Sequence, residues 1–356
     1  MKLIKILIIL ISCTLTRIPT IYAESKKTTG IVMDLKTGRI LYENQSTEKQ
    51  LIASTTKIMT AIIAIEKGEL NKSVIIGNEI LKMYGTNIYI EVGEEIKLID
   101  LLYGLLLRSG NDAAVAIAVA VSKTEEEFVN EMNKMSEKLG MKNTFFQNPH
   151  GLDEKTKNYS TAYDMALLMK YANKNKIFKK ISSTKIYETT TKNKKYLWYN
   201  RNKLLNNYEY CTGGKNGYTP SAGKTLVTTA EKDGMELVAV TLNDNNIYET
   251  QKKLYEKIFE EYKNYKIIDK KKFVIDQNFI DTDYFIKQDF IYPLTTEEKD
   301  NIETIVSITN TNSKEIGKID IYLSDRKIGT VPIYRKIKEK KEVNSLLKKI
   351  KLFIFG

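Results

Sequence analysis

The chain holds one histidine, His150, and two cysteines, Cys13 and Cys211, in 356 residues. These are too few and too far apart for an ordinary zinc site, so no metal is expected. A histidine-based catalytic triad would depend on His150 alone, which sits in the loop-like Asn148-Pro149-His150-Gly151. Any hydrolytic nucleophile here must be activated by another base, and lysine is the obvious candidate. No internal repeat and no low-complexity linker interrupts the chain. The lysines are scattered rather than set among stacking aromatics, which argues against a nucleic-acid partner.

What is present is charge. Lys and Arg outnumber Asp and Glu by 56 to 44, a net +12 that suits polyanionic surroundings. The hydrophobic content of 42% is ordinary for a globular protein. Lys2 and Lys5 precede the apolar run Ile6–Ile11, and Ile21-Tyr22-Ala23 offers a small-residue cleavage site before Glu24. The run is short of the roughly 20 residues that a span needs, so 1–23 is read as a secretory signal. The expected location is therefore outside the cytoplasmic membrane, held peripherally on its outer face. Leu10-Ile11-Ser12-Cys13 also resembles a lipoprotein processing site, placed very early for that role. With cleavage at Ala23 only Cys211 remains, and no internal disulfide can form.

The pattern then predicts an α+β fold, a helical cluster with an antiparallel sheet. Residues 30–34 and 39–42 flank Lys36-Thr37-Gly38 as a hairpin. Helices are expected over 58–65, 98–107, 113–121, 125–139, 163–171 and 251–262. Runs 225–230 and 236–241, separated by Lys232-Asp233-Gly234, read as an antiparallel pair. Strands at both ends with helices between imply one sheet joining distant segments. Residues 24–262 would form this first domain. Runs at 272–275, 305–309, 318–323 and 329–333 predict a small all-β domain over 263–334. Residues 335–356 form a basic amphipathic stretch: Leu346, Leu347, Ile350, Phe353 and Ile354 share a face, with Lys348, Lys349 and Lys351 between them. The pattern fits a helix lying on an anionic membrane surface. It equally fits a terminal helix docked on its own domain.

Ser54-Thr55-Thr56-Lys57 carries the chemistry. On the first turn of a helix, Ser and Lys three residues apart share a face, so the amine sits beside the hydroxyl. If burial and neighbouring cations depress its pKa, the neutral amine can take the serine proton. Five other Ser/Lys pairs share this spacing, among them Ser182/Lys185 and Ser221/Lys224, so spacing alone is weak. Ser54 differs in immediately preceding a long apolar helix. Ser109-Gly110-Asn111 lies between two apolar segments and reads either as a helix cap or as a turn projecting into a cavity. Gly213-Gly214-Lys215-Asn216-Gly217-Tyr218-Thr219 opens the strand that starts at Thr225, and reads as a glycine turn or as backbone approaching a ligand.

In this order the three elements resemble the S-x-x-K, S-x-N and K-T-G set of penicillin-recognising serine enzymes. Residues 53–61, 106–114, 145–153 and 200–205 are similar to the low-molecular-weight D-alanyl-D-alanine carboxypeptidases, and the resemblance runs from about Gly30 to Tyr262. It implies that Ser54 is acylated, with Lys57 as its base, Ser109 as a proton relay, Asn111 holding the substrate amide and Lys215 polarising the site. The backbone N–H groups of Ser54 and Tyr218 would form an oxyanion hole. Arg201 would engage the terminal carboxylate, and Asn216, Gly217 and Thr219 would line the substrate strand. The implied partners are a peptidoglycan stem pentapeptide and β-lactams, with no cofactor. One departure stands out: the third motif reads Lys215-Asn216-Gly217, with Asn for the usual Thr, an amide in place of a hydroxyl. It leaves room for a slowly turning-over penicillin sensor or wall-binding protein. A β-lactamase fits the extra domain and basic tail less well. The literal Lys36-Thr37-Gly38 precedes the nucleophile and is set aside as a hairpin turn.

Overall fold

The computed structural model describes residues 28–275, 283–309 and 313–336. The expected signal, 1–23, lies outside the described residues. Of the expected terminal helix, 335–356, only Arg335 and Lys336 lie inside, and Arg335 ends a strand.

The predicted hairpin is β1 (Thr29–Asp34) and β2 (Ile40–Asn44). Its turn ends at Gly38, where φ is +79° and a side chain would be strained. Almost 170 residues later come β3 (Cys211–Thr219), β4 (Gly223–Lys232) and β5 (Met235–Leu242). All five join one antiparallel sheet in the order β2-β1-β5-β4-β3. Residues 213–219 do not merely open the strand at Thr225, as expected. They are themselves the edge strand β3, paired to β4 from Gly213 to Thr219.

Period-two alternation puts apolar residues on both faces of the sheet. Met33, Val238 and Val240 pack into the main helical core. Val32, Leu237 and Ala239 pack on the other side against Tyr255, Ile258 and Phe259 of a helix over Ile247–Glu261. The main core is built by α1 (Lys57–Lys67), α2 (Leu98–Tyr103), α3 (Asn111–Ser122), α4 (Glu125–Leu139) and α5 (Ala162–Ala172). In α1 every side chain from Lys57 to Ile65 is buried, and in α3 every one from Asn111 to Ala118. Such helices lie inside the core rather than at a surface. The predicted helix over 98–107 is interrupted: α2 passes into a π-type turn, Gly104–Arg108. Ile186–Thr190 and Lys195–Tyr199 form a further hairpin with little apolar signal: only Tyr196 and Trp198, both on its second strand, are buried.

Beyond the Ile247–Glu261 helix, Lys263–Ile268 pairs with Phe290–Leu294. A four-stranded antiparallel sheet follows, formed by Tyr284–Phe285, Arg326–Arg335, Glu315–Leu323 and Ile302–Ile308. Ile316, Ile319, Ile321, Val331 and Ile333 give it a separate core. The strand expected at 272–275 is absent. Lys272 N donates to the Asp269 carbonyl across a turn, so its backbone is not available for a ladder. Arg39 ties the two regions together. It donates to the Pro293 carbonyl at 2.5 Å, pairs with Glu298, and lies 5.3 and 5.2 Å from the Tyr262 and Tyr292 ring centres.

Candidate active site

Ser54 occupies a 3-10 turn, Ala53–Thr56, rather than the first α-helical turn expected for it; Lys57 then begins α1. The turn is fixed from three sides. Thr55 and Thr225 hydroxyls both donate to the Ile52 carbonyl, at 2.6 and 3.2 Å. Asn158 donates to the Thr56 hydroxyl at 3.0 Å. The Ser54 peptide itself lies between two glycines. A Cβ on Gly217 would stand 2.7 Å from Ser54 N, and one on Gly151 would stand 2.0 Å from the Ala53 carbonyl oxygen. Only residues without side chains allow backbone to approach the nucleophile this closely.

Lys57 is fully buried, and its Nζ has three acceptors: Ser54 Oγ at 3.1 Å, Asn111 Oδ1 at 2.7 Å and the His150 carbonyl at 2.5 Å. Burial first, then the nearby charge of Lys215, hold its pKa well below the ordinary lysine value; Asp112 opposes them, and Arg201 adds a smaller push downward. A neutral amine has two N–H groups and one lone pair. In that neutral form, with Asn111 and His150 offering only acceptors, both hydrogens would be directed to them and the lone pair to Ser54 Oγ.

Each partner is held in turn. The Ser109-Gly110-Asn111 turn separates two helical segments without a side-chain cap: Ser109 takes a left-handed backbone, φ 67°, and ends the π turn, while Asn111 begins α3. Asn111 Nδ2 donates to the Tyr84 carbonyl at 2.7 Å, which orients its Oδ1 toward Lys57. Asp112 accepts from the backbone N–H of Ile88, Tyr89 and Ala113 at 2.7–3.0 Å, pinning the loop above the site. The His150 carbonyl is presented by a loop folded on Asn148, whose Oδ1 accepts from His150 N and Gly151 N. Thr60 reaches the Pro149 carbonyl at 2.6 Å from within α1. The loop at 148–151 is legible in the sequence, but its backbone role has no side-chain signal there. The His150 ring is buried and its pKa is pushed down to about 3 by burial and by Lys57. Its Nδ1 accepts from Leu152 N at 3.0 Å, so the ring serves the loop rather than a proton relay.

The third segment arrives on β3. Lys215 is buried, donates to the Asn216 carbonyl at 2.6 Å, and has its pKa lowered to about 7 by burial and by Arg201. Gly217 lies against Ser54, while Tyr218 is 64% exposed beside it. Thr219, expected to reach substrate, is turned inward: it donates to Asp153 at 2.6 Å and accepts from Ala222 N at 3.0 Å. Arg201 is exposed, donates to Thr86 at 3.0 Å, and lies near enough to influence both buried lysines. Ser54, Lys57 and Asn111 are thus in hydrogen-bond contact, Gly217 packs on the Ser54 backbone, and Lys215 and Arg201 lie close enough to bear on Lys57.

Over residues 16–246 the chain matches the family model described as D-alanyl-D-alanine carboxypeptidase. It belongs to that family. Among its relatives, D-alanyl-D-alanine carboxypeptidase DacF of Bacillus subtilis is 39% identical over 217 residues, which cover 59% of this chain and 56% of that one. DacC of Escherichia coli is 35% identical over 224 residues, 60% and 55% of the two chains. The chain thus matches a little over half the length of each relative. Among solved structures, penicillin binding protein 5 from Haemophilus influenzae aligns with a TM-score of 0.73 at 26% identity, covering 86% of this chain and 95% of that one. The mixed arrangement of helices and antiparallel sheet is that of the D-alanyl-D-alanine carboxypeptidase fold.

Proposed function

We propose that the chain is a serine-type D-alanyl-D-alanine carboxypeptidase that removes the terminal D-alanine from peptidoglycan stem pentapeptides and is acylated by β-lactams. The single observation that carries the reading is the Lys57 amine, buried, surrounded by acceptors and 3.1 Å from Ser54 Oγ. In the reaction, neutral Lys57 takes the Ser54 proton as Oγ attacks the carbonyl of the penultimate D-alanine. The Ser54 and Tyr218 backbone N–H groups serve as the oxyanion hole, which the bare Gly217 allows to close around the carbonyl. Asn111 holds the substrate amide with the Nδ2 hydrogen that Tyr84 leaves free. Ser109 relays the proton to the departing amine, with Lys215 supplying positive charge beside it. Arg201 pairs with the terminal carboxylate, a planar fork suited to a planar anion. Water then hydrolyses the ester, Lys57 serving again as base. Asn216 lines the substrate strand, and Thr219 supports it through Asp153.

The remaining architecture belongs to the same proposal. Residues 1–23 are an export signal, 24–262 the catalytic domain, 263–334 a small all-β domain and 335–356 a basic amphipathic segment for an anionic membrane surface, which would place the enzyme on the outer face of the cytoplasmic membrane. The strands from Lys263 onward and their separate core support the domain assignment. Asn216 favours a second reading, a sensor that is acylated but turns over slowly.

Fluorescent penicillin tests the nucleophile: wild type is expected to label and Ser54→Ala is not. Labelling that survives in the variant would move the nucleophile elsewhere. Release of D-alanine from a muramyl pentapeptide separates peptidase from sensor, and rapid drug hydrolysis would point to a β-lactamase.

A further inference from the structure

The Lys36-Thr37-Gly38 turn takes no part in the active site, yet its Lys36 helps line a concavity of about 360 Å³ beyond the end of β1. Five lysines line it, Lys36, Lys170, Lys174, Lys176 and Lys179, against one lining carboxylate, Glu236. Glu236 is already shared: Lys179 pairs with it at 3.1 Å and Lys36 approaches it at 3.8 Å. Lys36 also donates to the Gly234 carbonyl, and Glu231 lies 4.0 Å from Lys179 at the rim. Asp34, beneath the turn, accepts from both the Thr37 amide and its hydroxyl. Among the described residues Lys170, Lys174 and Lys176 form no ion pair. Lys170 is the unusual one. Its ammonium packs where a Cβ on Gly38 would stand, 2.5 Å away, so the glycine turn makes room for it. Partial burial and the neighbouring Lys174 lower its pKa, against a smaller opposing pull from Asp34.

We propose that this concavity is a binding site for the phosphate groups of a phosphodiester-linked anionic polymer, independent of the serine site. Ammonium groups bind phosphate as point charges, and several converging on one hollow take one anionic unit of a chain and its neighbours. A membrane surface fits less well, because the site is concave and its one apolar lining side chain, Leu35, is buried. Such binding would give a local use to part of the +12 charge.

The test is binding of a synthetic glycerol-phosphate oligomer at physiological salt, by calorimetry, with inorganic phosphate and phosphatidylglycerol vesicles as separate arms. The triple variant Lys170→Gln/Lys174→Gln/Lys176→Gln is expected to bind the oligomer about tenfold or more weakly and to show a shallower salt dependence. A control of equal charge change, Lys252→Gln/Lys253→Gln/Lys257→Gln on the Ile247–Glu261 helix, is expected to bind like wild type. Labelling of Ser54 by fluorescent penicillin reports that each variant is folded, and is separate from the binding readout. Equal loss in both triples would reduce the effect to net charge and overturn the site. Failure of wild type to bind the oligomer would do the same, and vesicle binding that alone depends on the three lysines would assign the site to lipid instead.

Discussion

Lys57 Nζ stands 3.1 Å from Ser54 Oγ and 2.5 Å from the His150 carbonyl, so the residue that activates the nucleophile is aimed by a backbone oxygen 93 positions away. Two acceptors and one hydroxyl around a buried amine leave a single direction for its lone pair. The chemistry therefore depends as much on the 148–151 loop as on the motif.

Replacing Lys57 by Met keeps the stem and removes the base. Acylation by penicillin is expected to slow by about 10²–10⁴-fold, the usual range for a positioned general base. Stopped-flow labelling checks this; a variant acylating within a few-fold of wild type would remove Lys57 from the role.

The acylation rate should rise with pH through the lowered pKa of Lys57, since only the neutral amine accepts a proton. Lys215 and Arg201 both press that pKa down. Arg201→Ala should therefore shift the acidic limb of the pH–rate profile to higher pH. An unmoved limb would show that Arg201 does not act on Lys57.

Gly217→Ala would place a methyl 2.7 Å from Ser54 N and 2.6 Å from Thr225 Oγ1. Acylation is expected to fall by about 10²-fold, as for loss of one oxyanion donor, with a loss of Tm smaller than that of Gly151→Ala. Gly151→Ala meets backbone at 2.0 Å and has φ +90°, so it should destabilise the fold by several kcal/mol, roughly the upper range for single substitutions. Equal Tm losses in the two variants would contradict this division.

His150 is neutral in the fold, with a pKa near 3 against an ordinary 6.5. The unfolded chain binds a proton below pH 6.5 that the native state refuses until about pH 3. Stability from this group is thus complete above pH 6.5 and is lost as pH falls toward 3. His150→Gln is expected to flatten the fall of Tm across that window; parallel curves for the two proteins would refute it.

Arg39→Ala removes an ion pair, a carbonyl contact and two ring contacts between the regions. A loss of about 1–3 kcal/mol is expected from a desolvated cation–π and charged hydrogen-bond cluster. Limited proteolysis should then cleave between the regions more readily. Unchanged cleavage would make Arg39 dispensable there.

Much of this protein is local in origin and could be read from the chain. The Lys36–Gly38 hairpin, the helix over 125–139 between Thr124 and Gly140, and the strand pair around Lys232-Asp233-Gly234 follow from caps, turns and periodicity, which act over a few residues. So does the pairing of Ser54 with Lys57, which needs one turn of chain. What failed was also local in appearance: 272–275 has strand composition, but a turn at Asp269 claims its backbone, and Ile186–Thr190 pairs without a strong apolar pattern. Sequence order alone determined that three motifs exist and in what succession. Only the tertiary structure decided that the His150 carbonyl meets Lys57, that Gly151 and Gly217 close on Ser54 from both sides, and that Thr219 turns inward to Asp153. Those contacts are set by packing between segments dozens to hundreds of residues apart, and a backbone oxygen or a missing Cβ leaves no mark in the sequence until the chain has closed around it.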